Sequence, residues 1–91
     1  MKKVIFISGG SDGLGYEIAK TLSLNHIVII SAPDATKLEK AAKELGCEFE
    51  ICDVSKSDAI EAAVKAVVAR HKKIDCLINN AGIWIEGKYR R

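Results

Sequence analysis

The chain has 91 residues, 48% hydrophobic and 29% charged, with a formal net charge of +2. That is the balance of one small globular domain, able to bury roughly 60–65% of its unfolded surface. It excludes the footprint of a nucleic-acid or membrane-surface binder, and Lys88, Tyr89, Arg90 and Arg91 read as a solvated basic tail.

The first element is the apolar run Val4, Ile5, Phe6, Ile7, expected as a strand over about residues 3–8. After Met1, Lys2 and Lys3 this run superficially resembles a secretory leader, but it is too short and glycines interrupt it at once. No stretch approaches a membrane span. Ser8 follows, then Gly9, Gly10, Ser11, Asp12, Gly13, Leu14 and Gly15. A helix is expected over about residues 13–24, with Leu14, Ile18 and Leu22 on one face. A buried strand, a glycine turn and a helix start form an anion site: the first N–H groups and the helix dipole face a phosphate, and glycine lets the backbone approach it. No Gly-Lys-Ser/Thr follows, so the turn is not a P-loop.

Asn25 and His26 form a connection, with His26 read as a turn residue rather than a base. The second strand is Ile27 to Ser31, a continuous apolar run suited to burial on both faces. The turn Ala32, Pro33, Asp34 leads to a helix over residues 35–45, with Leu38, Ala41, Ala42 and Leu45 at helical spacing and Gly46 as its stop. The third strand runs from Glu48 to Cys52, with Phe49 and Ile51 on one side as in a less buried edge strand. Asp53, Val54 and Ser55 lead into a third helix, residues 57–71, which Ser55 or Ser57 caps; Ile60, Ala63, Val64, Val67 and Val68 form its apolar stripe. The fourth strand is Ile74 to Ile78, followed by Asn79, Asn80, Ala81 and Gly82. Cys47, Cys52 and Cys76 form no C-x-x-C pair, and we expect three buried, reduced thiols and no metal site. A cytoplasmic location fits that reading.

The order βαβαβαβ implies a parallel sheet with right-handed crossovers. In a doubly wound arrangement the strands lie 3-2-1-4, and a ligand crevice opens at the C-terminal ends of strands one and four, where the direction reverses. A single domain, residues 1–91, is expected, without repeats or linkers.

The spacing G-x-x-x-G-x-G after a hydroxyl residue resembles the short-chain dehydrogenase/reductase family, whose pattern is Thr-Gly-x-x-x-Gly-x-Gly; Ser8 stands where that family usually has Thr. Two further segments match at strand ends. Asp53-Val54 corresponds to the family's Asp and small apolar residue, where the Asp accepts from the adenine amino group. Asn79-Asn80-Ala81-Gly82 corresponds to its Asn-Asn-Ala-Gly segment, which lines the cofactor near the adenosine ribose. The resemblance implies a partial Rossmann-type α/β fold that binds NAD or NADP. Its cofactor-binding residues are Ser8, Gly9, Ser11, Asp12, Gly13, Leu14, Gly15, Asp34, Asp53, Val54, Asn80, Ala81 and Gly82. An acidic residue after the second strand favours NAD and a basic one NADP. Pro33 stands where NADP-binding members usually carry Arg, and Ala32 where NAD-binding members usually carry Asp. Asp34 is near the expected interval, or simply caps the second helix; with Asp12 it tilts the choice toward NAD.

The resemblance covers almost all of these 91 residues but only the first half of the family's fold. The family's catalytic Ser, Tyr-x-x-x-Lys pair and Asn fall beyond its fourth strand. Tyr16 and Lys20 do read Tyr-x-x-x-Lys, but on the helix beside the phosphate turn, where a surface pair is the expected role. The expectation is a truncated, cofactor-binding half of an oxidoreductase without hydride transfer of its own. The alternatives are a non-enzymatic nucleotide-binding or assembly module, or a remnant without function. An open fourth strand and an incompletely covered sheet face imply a homodimer or a complementing chain.

Overall fold

The computed structural model describes residues 2–11, 13–52 and 57–79. Strands and helices alternate: β1 (Val4–Ser8), α1 (Gly13–Leu22), β2 (Ile27–Ala32), α2 (Ala35–Leu45), β3 (Glu48–Ile51), α3 (Ser57–His71) and β4 (Cys76–Asn79). The strands pair in parallel in the order β3-β2-β1-β4, the doubly wound arrangement expected.

Alternation along β1 and β2 sorts their side chains into two cores. Ile5, Ile7, Val28, Ile30 and Ala32 meet Ala19 of α1 and Leu38, Ala41 and Ala42 of α2. Val4, Phe6 and Ile29 meet Ala63 and Val67 of α3, with Cys52. The first two crossovers step in one direction across the sheet. The third steps back to the far side of β1, so the same right-handed rule lays α3 on the opposite face. On α3, Ala63 and Val67 are buried, whereas Val64 and Val68 are half-buried.

Element ends follow local hydrogen bonds. Asp34 caps α2 through its side chain, and Gly46 ends it at φ 70°, its N–H donating to the Ala42 carbonyl. Helix α1 stops at Leu22, two residues before expectation: Leu24 is exposed, and the N–H groups of Asn25 and His26 both turn back to the Leu22 carbonyl. Strand β2 extends to Ala32, whose carbonyl accepts from Cys52 N–H. Strand β4 begins at Cys76 rather than Ile74 because Asp75 meets the start of β1 in another way. Its N–H donates to the Val4 carbonyl and its carboxylate accepts from Val4 N–H, each at 2.8 Å. The Val4 N–H, followed by Lys73 and Lys3 against an opposing desolvation, lowers the Asp75 pKa.

The expectation of three buried thiols is corrected. Only Cys52 is buried; Cys47 is half-buried and Cys76 is exposed. Cys76 pairs with Ile5 on β4, the outer strand of the sheet, beyond the cover that α1 and α2 give the central strands. Burial pushes the Cys47 thiol pKa up. At the opposite edge Phe49 and Ile51 share the α1–α2 face; Phe49 is half-buried against that core, and Ile51, the last residue of β3, is exposed.

Candidate functional site

The C-terminal ends of β2, β1 and β4 stand in register, with Ser8 paired to Ser31 on one side and Asn79 on the other. This is where the sheet's winding reverses and where open α/β sheets hold ligands.

The turn leaving β1 is tied to β2 by one acceptor. The Ser31 carbonyl accepts from Gly9 N–H at 2.7 Å and from Gly10 N–H at 3.2 Å. Gly10 rests on Ile30, where a Cβ would come within 2.6 Å of Ile30 Cγ2. Gly13 opens α1 in the left-handed region at φ 62°, and a Cβ there would meet nothing within 4 Å. One glycine thus lets the turn sit against β2, and another leaves its outer side clear for a ligand. Gly15 is buried on α1, Ser11 is half-buried and Leu14 is 68% exposed beside the turn. The first turn of α1 carries no acidic side chain, so its N–H groups and dipole keep their positive end. That is the equipment of a pyrophosphate site.

Ser8 is buried at the last position of β1. Asp34 is exposed at the turn after β2, where its Oδ1 accepts from Lys37 N–H at 3.2 Å. The capping role is therefore realised, and the carboxylate is held at the end of β2 where a ribose is expected. The structure brings Ser8, Gly9, Ser11, Gly13, Leu14 and Gly15 together at one end of the sheet. Asp12, Asp53, Val54, Asn80, Ala81 and Gly82, with the Ser55 cap, lie outside the described residues.

Two residues to which the sequence assigned no role are part of this arrangement. Gly10 was visible as a fourth glycine, but its contact is set by a strand 20 positions on. Ser31 was visible as the hydroxyl that ends the second apolar run.

The decoy groups have structural partners. Tyr16 hydroxyl donates to Glu44 Oε1 of α2 at 3.1 Å. That hydrogen bond, then desolvation and neighbouring acidic charge, raises the phenol pKa, the opposite of what an activated proton donor needs. His26 Nδ1 accepts from Lys3 N–H at 3.1 Å, fixing the turn before β2. Among the described residues no helix is long and apolar enough to cross a membrane, and no group of three His, Cys, Asp or Glu is placed to hold a metal ion.

Residues 3–90 match the family model described as short chain dehydrogenase. A borneol dehydrogenase, mitochondrial, from Lavandula x intermedia is 37% identical over 90 residues, covering 97% of this chain and 34% of the relative. A probable NADP-dependent dehydrogenase of Dichelobacter nodosus is 36% identical, covering 88% of this chain and 78% of that protein. A crystal structure of a variant actinorhodin polyketide ketoreductase with NADPH superposes with a TM-score of 0.85 at 35% identity, over 90% of this chain and 34% of that one. The chain spans about a third of the length of most curated relatives it matches.

Proposed function

The chain belongs to the short-chain dehydrogenase family, and on that premise we propose that it is the dinucleotide-binding portion of an NAD(P)-dependent oxidoreductase acting between an alcohol and a carbonyl compound. The observation that carries this reading is the glycine turn at the start of α1. It is anchored inside by the Ser31 carbonyl and open outside at Gly13. Hydride transfer is the chemistry a bound nicotinamide supplies; this chain's residues bind the cofactor and orient it.

We assign NAD as the preferred cofactor. Asp34 keeps a carboxylate at the N-terminus of α2, and Pro33 offers no cation to a 2′-phosphate. The one Tyr-x-x-x-Lys of the sequence, Tyr16 to Lys20, has its phenol committed to Glu44. The chain on its own is therefore expected to bind cofactor and turn over no alcohol or ketone.

The test is a titration with NADH and NADPH, read by energy transfer from Trp84, the only tryptophan. Saturable transfer, tighter for NADH and lost in Gly13→Val, is the expected result. A folded sample that binds neither cofactor would overturn the reading.

A second reading, an assembly module, draws on β4. Its outer edge has no partner among the described residues, and Cys76 on it is exposed. Such an edge invites pairing with a second copy or a complementing chain. Light scattering should show a homodimer; a monomer at all concentrations, without activity on adding a chain that carries Tyr-x-x-x-Lys, would remove this reading.

A further inference from the structure

The last row of the sheet changes character on one face only. On the α3 side, one row runs Glu48, Ile29, Phe6, Leu77 across the strands, and the next runs Glu50, Ser31, Ser8. At the crevice end this row is polar in β3, β2 and β1. On the opposite face the corresponding rows stay apolar to the end, through Phe49, Ile30, Ile7, Ile78 and then Ile51 and Ala32. A sheet that only needed a core would have no use for that asymmetry.

Ser31 is the anomaly within the row. It is 0% exposed, and its hydroxyl has no hydrogen-bond partner among the described residues. Its register neighbour Glu50 is already committed, with Oε2 held by Arg70 Nη1 at 2.7 Å. A buried hydroxyl without a partner costs folding free energy, and alanine would fill the same place without that cost. The same residue's carbonyl anchors the phosphate turn, and three positions on is Asp34. Ser31 thus sits between the groups expected to hold pyrophosphate and ribose.

We propose that Ser31 is a cofactor-binding residue whose hydroxyl pairs with a polar atom of the adenosine half of the dinucleotide when that half seats on the polar row. The inference rests on the dinucleotide reading above. The hydroxyl is buried in the free chain, so pairing requires it to become accessible as the nucleotide binds. The bond then forms away from water, where a hydrogen bond counts most.

The experiment compares the wild-type chain with Ser31→Ala and the near-isosteric Ser31→Cys. Melting is followed without ligand, and binding is measured with NADH and with ADP-ribose, which is the dinucleotide without its nicotinamide. Ser23→Ala, another buried hydroxyl just past the end of α1, is the control. Ser31→Ala should melt higher than wild type by roughly 4 °C or more, because an orphaned hydroxyl is removed. Both Ser31 variants should bind NADH and ADP-ribose roughly threefold to tenfold more weakly, the factor one neutral hydrogen bond supplies. Ser23→Ala should leave both affinities unchanged.

Equal affinity in wild type and both Ser31 variants overturns the proposal while the dinucleotide reading stands. A lower melting temperature in Ser31→Ala overturns it too, because the hydroxyl would then already be paired in the free chain. Weakening by Ser23→Ala as well would mark a general loss of fit and count against Ser31. Failure of wild type to bind either ligand is a different pattern, and removes the dinucleotide reading together with this inference.

Discussion

Gly10 and Ile30 approach so closely that a Cβ on Gly10 would lie 2.6 Å from Ile30 Cγ2 and 2.7 Å from Ile30 Cβ. Ile30 is fully buried between α1 and α2 and has nowhere to retreat. Gly10→Ala should therefore cost about 1–3 kcal/mol of stability, the range for overpacking a filled core. Gly13→Ala is the informative contrast. Its Cβ meets nothing within 4 Å, and the cost is the strain of φ 62°, about 1 kcal/mol. Yet on the dinucleotide reading that Cβ stands on the open side of the turn, where a phosphate would approach. Melting curves should rank Gly10→Ala below Gly13→Ala, while NADH titration shows binding abolished in Gly13→Ala. The reverse order of stability would sink the packing account of Gly10.

Asp34 combines an observed role with a proposed one, and substitution can separate them. Its Oδ1 caps α2 on Lys37 N–H, and on the NAD reading its charge disfavours a 2′-phosphate. Asp34→Asn keeps the capping oxygen and removes the charge. Stability should change little, and the NADPH-to-NADH affinity ratio should rise. Asp34→Ala removes the cap and should cost about 1 kcal/mol. If Asp34→Asn leaves the cofactor ratio unchanged in a well-folded sample, the carboxylate plays no part in cofactor choice.

The parts legible in the sequence are those written in local chemistry. Helix α2 is bounded as expected because its cap Asp34 and stop Gly46 lie in the chain beside it. Parallel pairing follows from the alternation of strands and helices, and the order 3-2-1-4 from the doubly wound arrangement that the glycine turn and the family resemblance implied. What was not legible depends on contacts between distant segments. The start of β4 is displaced by Asp75 reaching Val4, 71 positions away. The demand for glycine at Gly10 comes from Ile30 on another strand. Cys76 reads as a core residue by type, and is exposed because its strand is the outermost. Of the site, the phosphate turn was readable because backbone conformation is encoded by its own glycines, whereas the role of Ser31 appears only once β1 is laid beside β2.

Lys72 follows α3 with φ 73°, and its N–H donates to the Val68 carbonyl at 2.7 Å. This is a left-handed helix stop occupied by a residue that has a Cβ. Glycine relieves the steric penalty of that conformation but loses more entropy on folding. The balance favours Lys72→Gly by about 0.5–1 kcal/mol, an increase of roughly 2–8 °C in melting temperature for a domain this small. Lys72→Ala keeps the Cβ and removes only the long side chain. It should leave the melting temperature near wild type, and a comparable gain in it would show that charge, not backbone conformation, is the source.

The end of α3 is fastened to the edge strand by charge. Arg70 meets Glu48 Oε1 at 3.1 Å and Glu50 Oε2 at 2.7 Å, and His71 Nε2 is 3.0 Å from Glu48 Oε1. Desolvation is the largest single influence on Glu48 and works to raise its pKa. The hydrogen bonds and charges of His71 and then Arg70 together outweigh it, so the folded pKa lies below the ordinary value of 4.5. A carboxylate with a depressed folded pKa binds fewer protons folded than unfolded in that window. Its contribution is therefore complete above the ordinary value and is lost as pH falls through the folded one. Because Glu48 is 40% exposed, solvent holds the contribution to about 0.2–1 kcal/mol. Glu48→Gln should lower stability at pH 6 and flatten its decline from pH 5 to pH 3. The same substitution should matter less in high salt, because screening weakens a pair this exposed. Urea titrations at several pH values measure the slope directly, and an unchanged acid limb in Glu48→Gln would mean that this carboxylate is not part of the acid sensitivity.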